Sequence, residues 1–134
     1  MRVSRSTGYA VLAVGYIAQH QAKGIVLSQN IAKAYDIPLE YLLKILQQLV
    51  RANLLRSKRG PRGGFLLGKP TNRITLLEII EAVDGPLDSE LGLSQQAKGS
   101  RFSVQADKVY QTAVAQSKAV FAKAKVSTLL GEKK

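Results

Sequence analysis

The stretch Leu54-Leu55-Arg56-Ser57-Lys58-Arg59-Gly60-Pro61-Arg62-Gly63-Gly64-Phe65-Leu66-Leu67 decides how this chain is read. Residues 54–57 and 65–67 are short, mostly apolar runs of the kind that form strands. Between them lies a turn with three glycines, one proline and, counting Lys58, three cations. Glycine and proline punctuate many ordinary hairpins. What sets this one apart is the helix pair before it and the absence of any acidic residue from 41 to 77, where Lys44, Arg51, Arg56, Lys58, Arg59, Arg62, Lys69 and Arg73 all fall. A surface that only needs to be solvated mixes its signs. This one presents cations to a polyanion.

On the N-terminal side, the pattern predicts a helix over 38–52. Pro38 stands in its first position, and Leu42, Ile45, Leu46, Leu49 and Val50 form its buried stripe. Glu40, Tyr41, Lys44, Gln47, Gln48 and Arg51 fall off that stripe. A shorter helix over 28–34, with Ser28 as N-cap and Ile31 inward, precedes it across the turn Asp36-Ile37-Pro38. The first helix carries Tyr9, Leu12, Ala13, Tyr16 and Ile17 at helical spacing, with Ser4 or Ser6 as its cap. Two helices joined by a tight turn, the second bearing hydrogen-bonding side chains, meet the needs of a helix-turn-helix, and the cationic hairpin is its wing.

On the C-terminal side, Thr75 caps a fourth helix with Leu76, Ile79, Ile80 and Val83 inward, ended by Asp84-Gly85-Pro86. Residues 87–101 are polar and read as a loop. A long helix follows over 103–125, with Phe102, Ala106, Val109, Ala113, Val120 and Ala124 on one stripe, widened by Tyr110, Val114 and Phe121. At about 35 Å it overhangs a core of this size, and a second copy would cover the rest. The tail 131–134 reads as frayed. The fold class is thus mainly α with a small β-hairpin: a winged helix-turn-helix domain over 1–85, a loop over 86–102 that is the natural place for an effector, and a dimerisation helix and C-terminal segment over 103–130.

The whole chain sets bounds on this reading. Its 134 residues suffice for one core, and 46% of them are hydrophobic. The formal net charge is +11, from 20 basic and 9 acidic residues. With no cysteine, disulfides, thiolate metal sites and thiol catalysis are excluded. No acid pair beside a nucleophile forms a catalytic constellation, so an enzyme is not expected. The N-terminus lacks a secretory pattern and no apolar run approaches a membrane span, which makes the expected location cytoplasmic and the expected partners free of membrane. Aromatic residues, at 6%, are too few for a single-strand stacking platform.

These motifs resemble one known family. Met1-Arg2-Val3-Ser4 leading into Tyr9-Ala10-Val11, Tyr41-Leu42, Arg59-Gly60-Pro61 with Gly63-Gly64-Phe65, Ile74-Thr75-Leu76 through Ala82-Val83-Asp84-Gly85, and the closing Val126-Ser127-Thr128-Leu129-Leu130 are similar to the bacterial winged-helix regulators of the IscR, NsrR and CymR type (Rrf-two type). The resemblance implies a third helix in the major groove, a wing in the minor groove and a homodimer made by the long helix. Several members hold an iron–sulfur cluster on three cysteines in the loop after the fourth helix. Here that loop has none, and no Asp, Glu or His precedes His20, so no cofactor is expected and the chain resembles the members that lack a cluster. Where the family often has Glu then Gln after the Tyr-Leu pair, this chain has Leu43 and Lys44. Arg62 replaces a frequent wing glycine, and its guanidinium suits a narrow A·T-rich minor groove.

The expected double-stranded DNA contacts follow. Arg2, Arg5, Ser28 and Gln29 are read as phosphate contacts; Ser28 is read equally as a cap, and both roles can hold. Tyr41, Lys44 and Gln48 are the major-groove candidates, with Lys44 donating to guanine, Gln48 pairing with adenine, and half-burial as the other reading of Tyr41; Arg51 on the same helix is a further expected DNA contact. Lys58, Arg59, Gly60, Pro61, Arg62, Gly63 and Gly64 make the wing. Phe102, Val109, Ala113, Val120 and Phe121 make the dimer interface. The expected function is a sequence-specific transcription regulator, a repressor on a palindromic operator, answering to a small molecule, a protein or nothing. The alternatives are a winged-helix protein-interaction module and a nonspecific nucleic-acid binder. His20 near a helix end reads as a solvated or capping residue rather than a sensor.

Overall fold

In a computed structural model, residues 3–60, 63–87 and 91–132 are described. Helix α1, Arg5–His20, starts at Ser4, whose hydroxyl accepts from the Thr7 N–H. Its buried face is Thr7, Ala10, Ala13, Val14 and Ile17. This rotates the expected stripe: Leu12 is exposed, and Tyr9 and Tyr16 are half-buried. The small side chains of Ala10 and Ala13 let α1 approach α3 and α4 closely, and the bulky rings are left to flank the contact.

A strand not expected from the sequence follows. β1, Val26–Leu27, joins β2, Leu55–Lys58, and β3, Gly64–Leu67, in an antiparallel sheet of order β1-β3-β2. The hairpin is therefore a three-stranded sheet with β3 at its centre. Gly64 pairs with Leu27 on one side and Lys58 on the other. A Cβ there would lie 2.7 Å from the Ile25 side chain, so the glycine is needed for close approach of the edge strand.

Helix α2, Ser28–Tyr35, ends at Asp36, whose φ of 54° turns the chain toward α3, Leu39–Arg51. Pro38 stands one position earlier than expected, at the N-cap. Leu42, Leu43, Ile45, Leu46 and Leu49 are buried, while Val50 is only half-buried. Helix α4, Leu76–Asp84, opens with a capping box in which the Thr75 hydroxyl accepts from the Glu78 N–H and the Glu78 carboxylate accepts from the Thr75 N–H.

The polar segment after α4 is not a plain loop. It contains a short helix, α5, Leu93–Gln96, and the long helix α6, Arg101–Lys123, begins earlier than expected, capped by Ser100. The α5 N-terminus receives a carboxylate from α6: Leu93 and Ser94 donate their N–H groups to Asp107 at 3.2 and 2.8 Å. These bonds, the Ser94 N–H first, hold Asp107 below its ordinary pKa. At its far end α6 returns to the body. Leu76 N–H donates to the Ala124 carbonyl and Val126 N–H to the Ile74 carbonyl, both at 2.8 Å. The last helix, α7, Val126–Leu129, puts Val126 into the same apolar core as α1, α3 and β3. The expected fraying is corrected at 131 and 132: the Glu132 N–H reaches the Ser127 carbonyl, and its carboxylate accepts from Thr71 at 2.7 Å. Residues 133–134 lie outside the described ones.

Candidate nucleic-acid interface

The amphipathic period of α3 turns Lys44, Gln47 and Arg51 to solvent, with Gln48 half-buried beside them. Leu43, at a position where the family resemblance points to base contact, is 7% exposed and belongs to the core. Tyr41 is fixed from the α1 side. Its hydroxyl is hydrogen-bonded to that of Ser6, and its ring meets Tyr9 edge-on, with centroids 5.7 Å apart. Tyr41 nevertheless remains exposed, at 37%, so it braces α1 against α3 and still presents its ring to solvent.

Arg5 is exposed in the first turn of α1. That turn is held by Asp84, a residue the sequence reading treated only as a helix end. Its carboxylate accepts from the Ser4 N–H at 3.0 Å, the Ser4 hydroxyl at 2.6 Å and the Thr7 hydroxyl at 2.7 Å. Partial burial raises the Asp84 pKa, but these donors outweigh it and leave the carboxyl below its ordinary value. Arg2 lies outside the described residues.

Ser28 departs from both of its expected roles. It is the first residue of α2, not the cap, because Leu27 takes the N-cap position with no side-chain hydrogen bond. The side chain is 1% exposed and its hydroxyl has no hydrogen-bond partner among the described residues. A buried hydroxyl cannot touch a phosphate. The uncapped N–H groups of the first turn, with Gln29 and Asn30 exposed beside them, keep the anion-attracting end of the helix open.

At the wing, Lys58, Arg59 and Gly60 are exposed. Arg59 has φ 66° and Gly60 φ 82°, both left-handed. Gly63 closes the turn by donating its N–H to the Gly60 carbonyl at 3.1 Å. A Cβ on Gly63 would come within 2.3 Å of the Lys58 carbonyl oxygen, so Gly63 and Gly64 build the wing by their lack of side chains. Pro61 and Arg62 lie outside the described residues. Between α3 and the wing is a hollow of about 180 Å³ lined by Gln47, Val50, Arg51, Ser57 and Phe65. Gln47 and Ser57 were not among the expected contacts. No pattern in the sequence marks them, because the hollow exists only once strand and helix meet.

The expected dimer stripe divides in two. Phe102, Val109 and Val120 are 85%, 71% and 67% exposed, with Ala113 exposed between them. Val114 is buried toward the body, and Phe121 is half-buried at the edge of the stripe. His20 donates from Nδ1–H to the Tyr16 carbonyl at 2.8 Å and stacks on the Tyr16 ring, with centroids 4.0 Å apart.

Among the described residues no helix is long and apolar enough to cross a membrane. Nor do any three His, Cys, Asp or Glu side chains among them group to hold a metal ion.

The family model described as "Rrf2: Iron-dependent Transcriptional regulator" matches residues 3–132. A protein of Aquifex aeolicus (strain VF5) bearing an HTH-type transcriptional regulator name is 34% identical over 103 residues, 77% of this chain and 71% of that one. The HTH-type transcriptional regulator IscR of Xenorhabdus nematophila is 38% identical over 89 residues, 66% of this chain. The match spans only 54% of that IscR's length. The solved structure of CymR, the global cysteine regulator of B. subtilis, superposes with a TM-score of 0.79 at 22% identity, covering 100% of this chain and 99% of that one. At that identity the likeness establishes the fold. The iron in the family description does not fit this donor set, since a chain without cysteine offers no thiolate to a cluster. The matched wing, helix pair and long helix nevertheless span almost the whole sequence, and the chain belongs to the Rrf2 family of winged-helix, DNA-binding transcription regulators.

Proposed function

We propose that the protein represses transcription by binding a palindromic operator as a homodimer, with α3 in the major groove and the wing in the adjacent minor groove. The observation that carries this reading is one exposed cationic face, Lys44 and Arg51 on α3 with Lys58 and Arg59 on the wing, drawn from a segment without an acid. Lys44 donates to a guanine edge and Gln48 pairs with an adenine. Arg59 and Arg62 serve the minor groove. Arg2, Arg5, Gln29 and the α2 N-terminus hold phosphates, which set register without reading sequence. Phe102, Val109, Ala113 and Val120 are spaced by seven, four and seven residues, the seam period of paired helices, and supply the contact between the two copies. The segment carrying α5, clasped by Asp107, is where a small-molecule or protein effector acts.

Selection of bound duplexes from a random pool at moderate salt, followed by footprinting, tests this. The expected product is a two-fold motif whose half-sites lie one helical turn apart or a multiple of it. A pool that binds without enrichment overturns specific regulation and leaves a nonspecific nucleic-acid binder. No binding at all leaves the protein-interaction module, a reading that the polar exposed face of α3 disfavours.

A further inference from the structure

The hollow between α3 and the wing has an apolar floor and a donor-rich rim. Phe65, almost fully buried, and the half-buried Val50 make the floor; the exposed Gln47, Arg51 and Ser57 make the rim. Gln47 and Arg51 lie one turn apart on α3 and line the hollow together with Ser57 and Phe65 of the sheet. The rim brings a guanidinium fork, an amide N–H pair and a hydroxyl to one mouth, with no carboxylate lining it among the described residues. About 180 Å³ is below the usual range for a small-molecule site, but a tetrahedral oxyanion fits it.

Topology identifies the occupant. Neighbouring major and minor grooves are divided by one sugar–phosphate strand. A protein with α3 in one groove and the wing in the next must straddle that strand, and the hollow is the surface lying between the two. We infer that this hollow seats a single backbone phosphodiester of the DNA, with Arg51 paired to its oxygens and Ser57 and Gln47 donating from the other sides. This rests on the DNA reading of α3 and the wing. It assigns Arg51 to the backbone rather than to a base, and adds Gln47 and Ser57 as register-setting residues.

The experiment uses the selected duplex remade with one neutral methylphosphonate linkage at a time, and compares the wild type with Arg51→Ala and Ser57→Ala. One linkage per half-site, on the strand between the α3 and wing footprints, weakens the wild type roughly tenfold, as loss of a charge-assisted bond does. Each variant binds the native duplex less tightly and loses most of its sensitivity at that one linkage, while keeping it elsewhere. Arg51→Ala removes one phosphate contact in each half-site and lowers the log–log salt slope of the dimer by about 1.8, and Ser57→Ala leaves the slope unchanged. Folded variants that keep full sensitivity at every linkage overturn the seat while the DNA reading stands. A loss that depends on base sequence instead makes Arg51 a base contact and also overturns it. Inhibition by inorganic phosphate beyond a chloride control of equal ionic strength reassigns the hollow to a free anion. A wild type that binds no duplex overturns both readings.

Discussion

Arg59 occupies a left-handed backbone conformation that a residue with a Cβ adopts only at a cost of about 1 kcal/mol. Glycine would remove that cost, and the next residue, Gly60, shows that the turn accepts one. On the proposed DNA reading, an exposed arginine is held there for a contact of its guanidinium with the duplex. Arg59→Gly is therefore expected to leave the melting temperature unchanged or raise it, while weakening operator binding roughly tenfold. Equal losses of stability and binding would show instead that Arg59 serves the fold. At this scale the sequence was a fair guide to charge and a poor one to burial. The exposed cations of α3 and the wing were legible because they interrupt an apolar period. Ser28 was not, because serine before a helix looks the same whether it caps the helix or lies buried one residue inside it. Leu43 joins the core because α3 is covered on both flanks, by α1 and by the sheet.

Among the elements, those that stabilise themselves could be read. The hydrophobic period drew α3, and Thr75 announced α4 as its cap, to which the structure adds a box with Glu78 that lies within four residues. The missed elements owe their existence to distant partners. β1 is two residues long and has no pattern of its own; it is a strand only because β3 offers it an edge. α5 has four residues, far below the length that persists alone, and depends on a carboxylate more than ten residues away on α6. Because Asp107 is held below its ordinary pKa in the folded state, its contribution is present above the unfolded-state pKa and is lost as pH falls through the lower folded-state value. Amide exchange at Leu93 and Ser94 should thus stay slow at neutral pH and quicken only in acid, relative to the core amides of α3. Asp107→Asn should quicken both amides already at neutral pH. Protection that is indifferent to both changes would mean that α5 is held by packing instead.

At the scale of the whole molecule, the solvent-facing stripe of α6 carries Phe102, Val109 and Val120, the most exposed large apolar side chains among the described residues. Burying Phe102, Val109 and Val120 against a second copy would contribute roughly 1.5–3 kcal/mol for each side chain, enough to decide association. Val109→Glu, and separately Val120→Glu, should give a folded monomer by sedimentation at micromolar concentration, with operator affinity lowered at least tenfold because each half-site must then be bound alone. A dimer that survives both changes would place the contact elsewhere. The architecture as a whole was legible because the wing, the helix pair and the long helix occur in an order that few folds use. The return of the C-terminal segment to the core was not, since 126–130 reads as a short apolar tail with no stated destination.

That return has a consequence for how the protein meets DNA. The backbone bonds joining Ile74 and Leu76 to Val126 and Ala124 bolt the far end of α6 to its own reading head, and Asp107 and α5 brace the near end. In a dimer joined through α6, as proposed, these bonds would tie the shared helix to the heads that meet the duplex. The pair then behaves as a fixed-span caliper. Each base pair inserted between the half-sites rotates one head's target by about 34–36° about the DNA axis, so a single insertion should abolish tight binding and a full turn of inserted DNA should fail by distance instead of by angle. Gel-shift measurements on a ladder of spacer lengths would show one sharp optimum; a broad plateau would reveal a joint where the structure has a bolt.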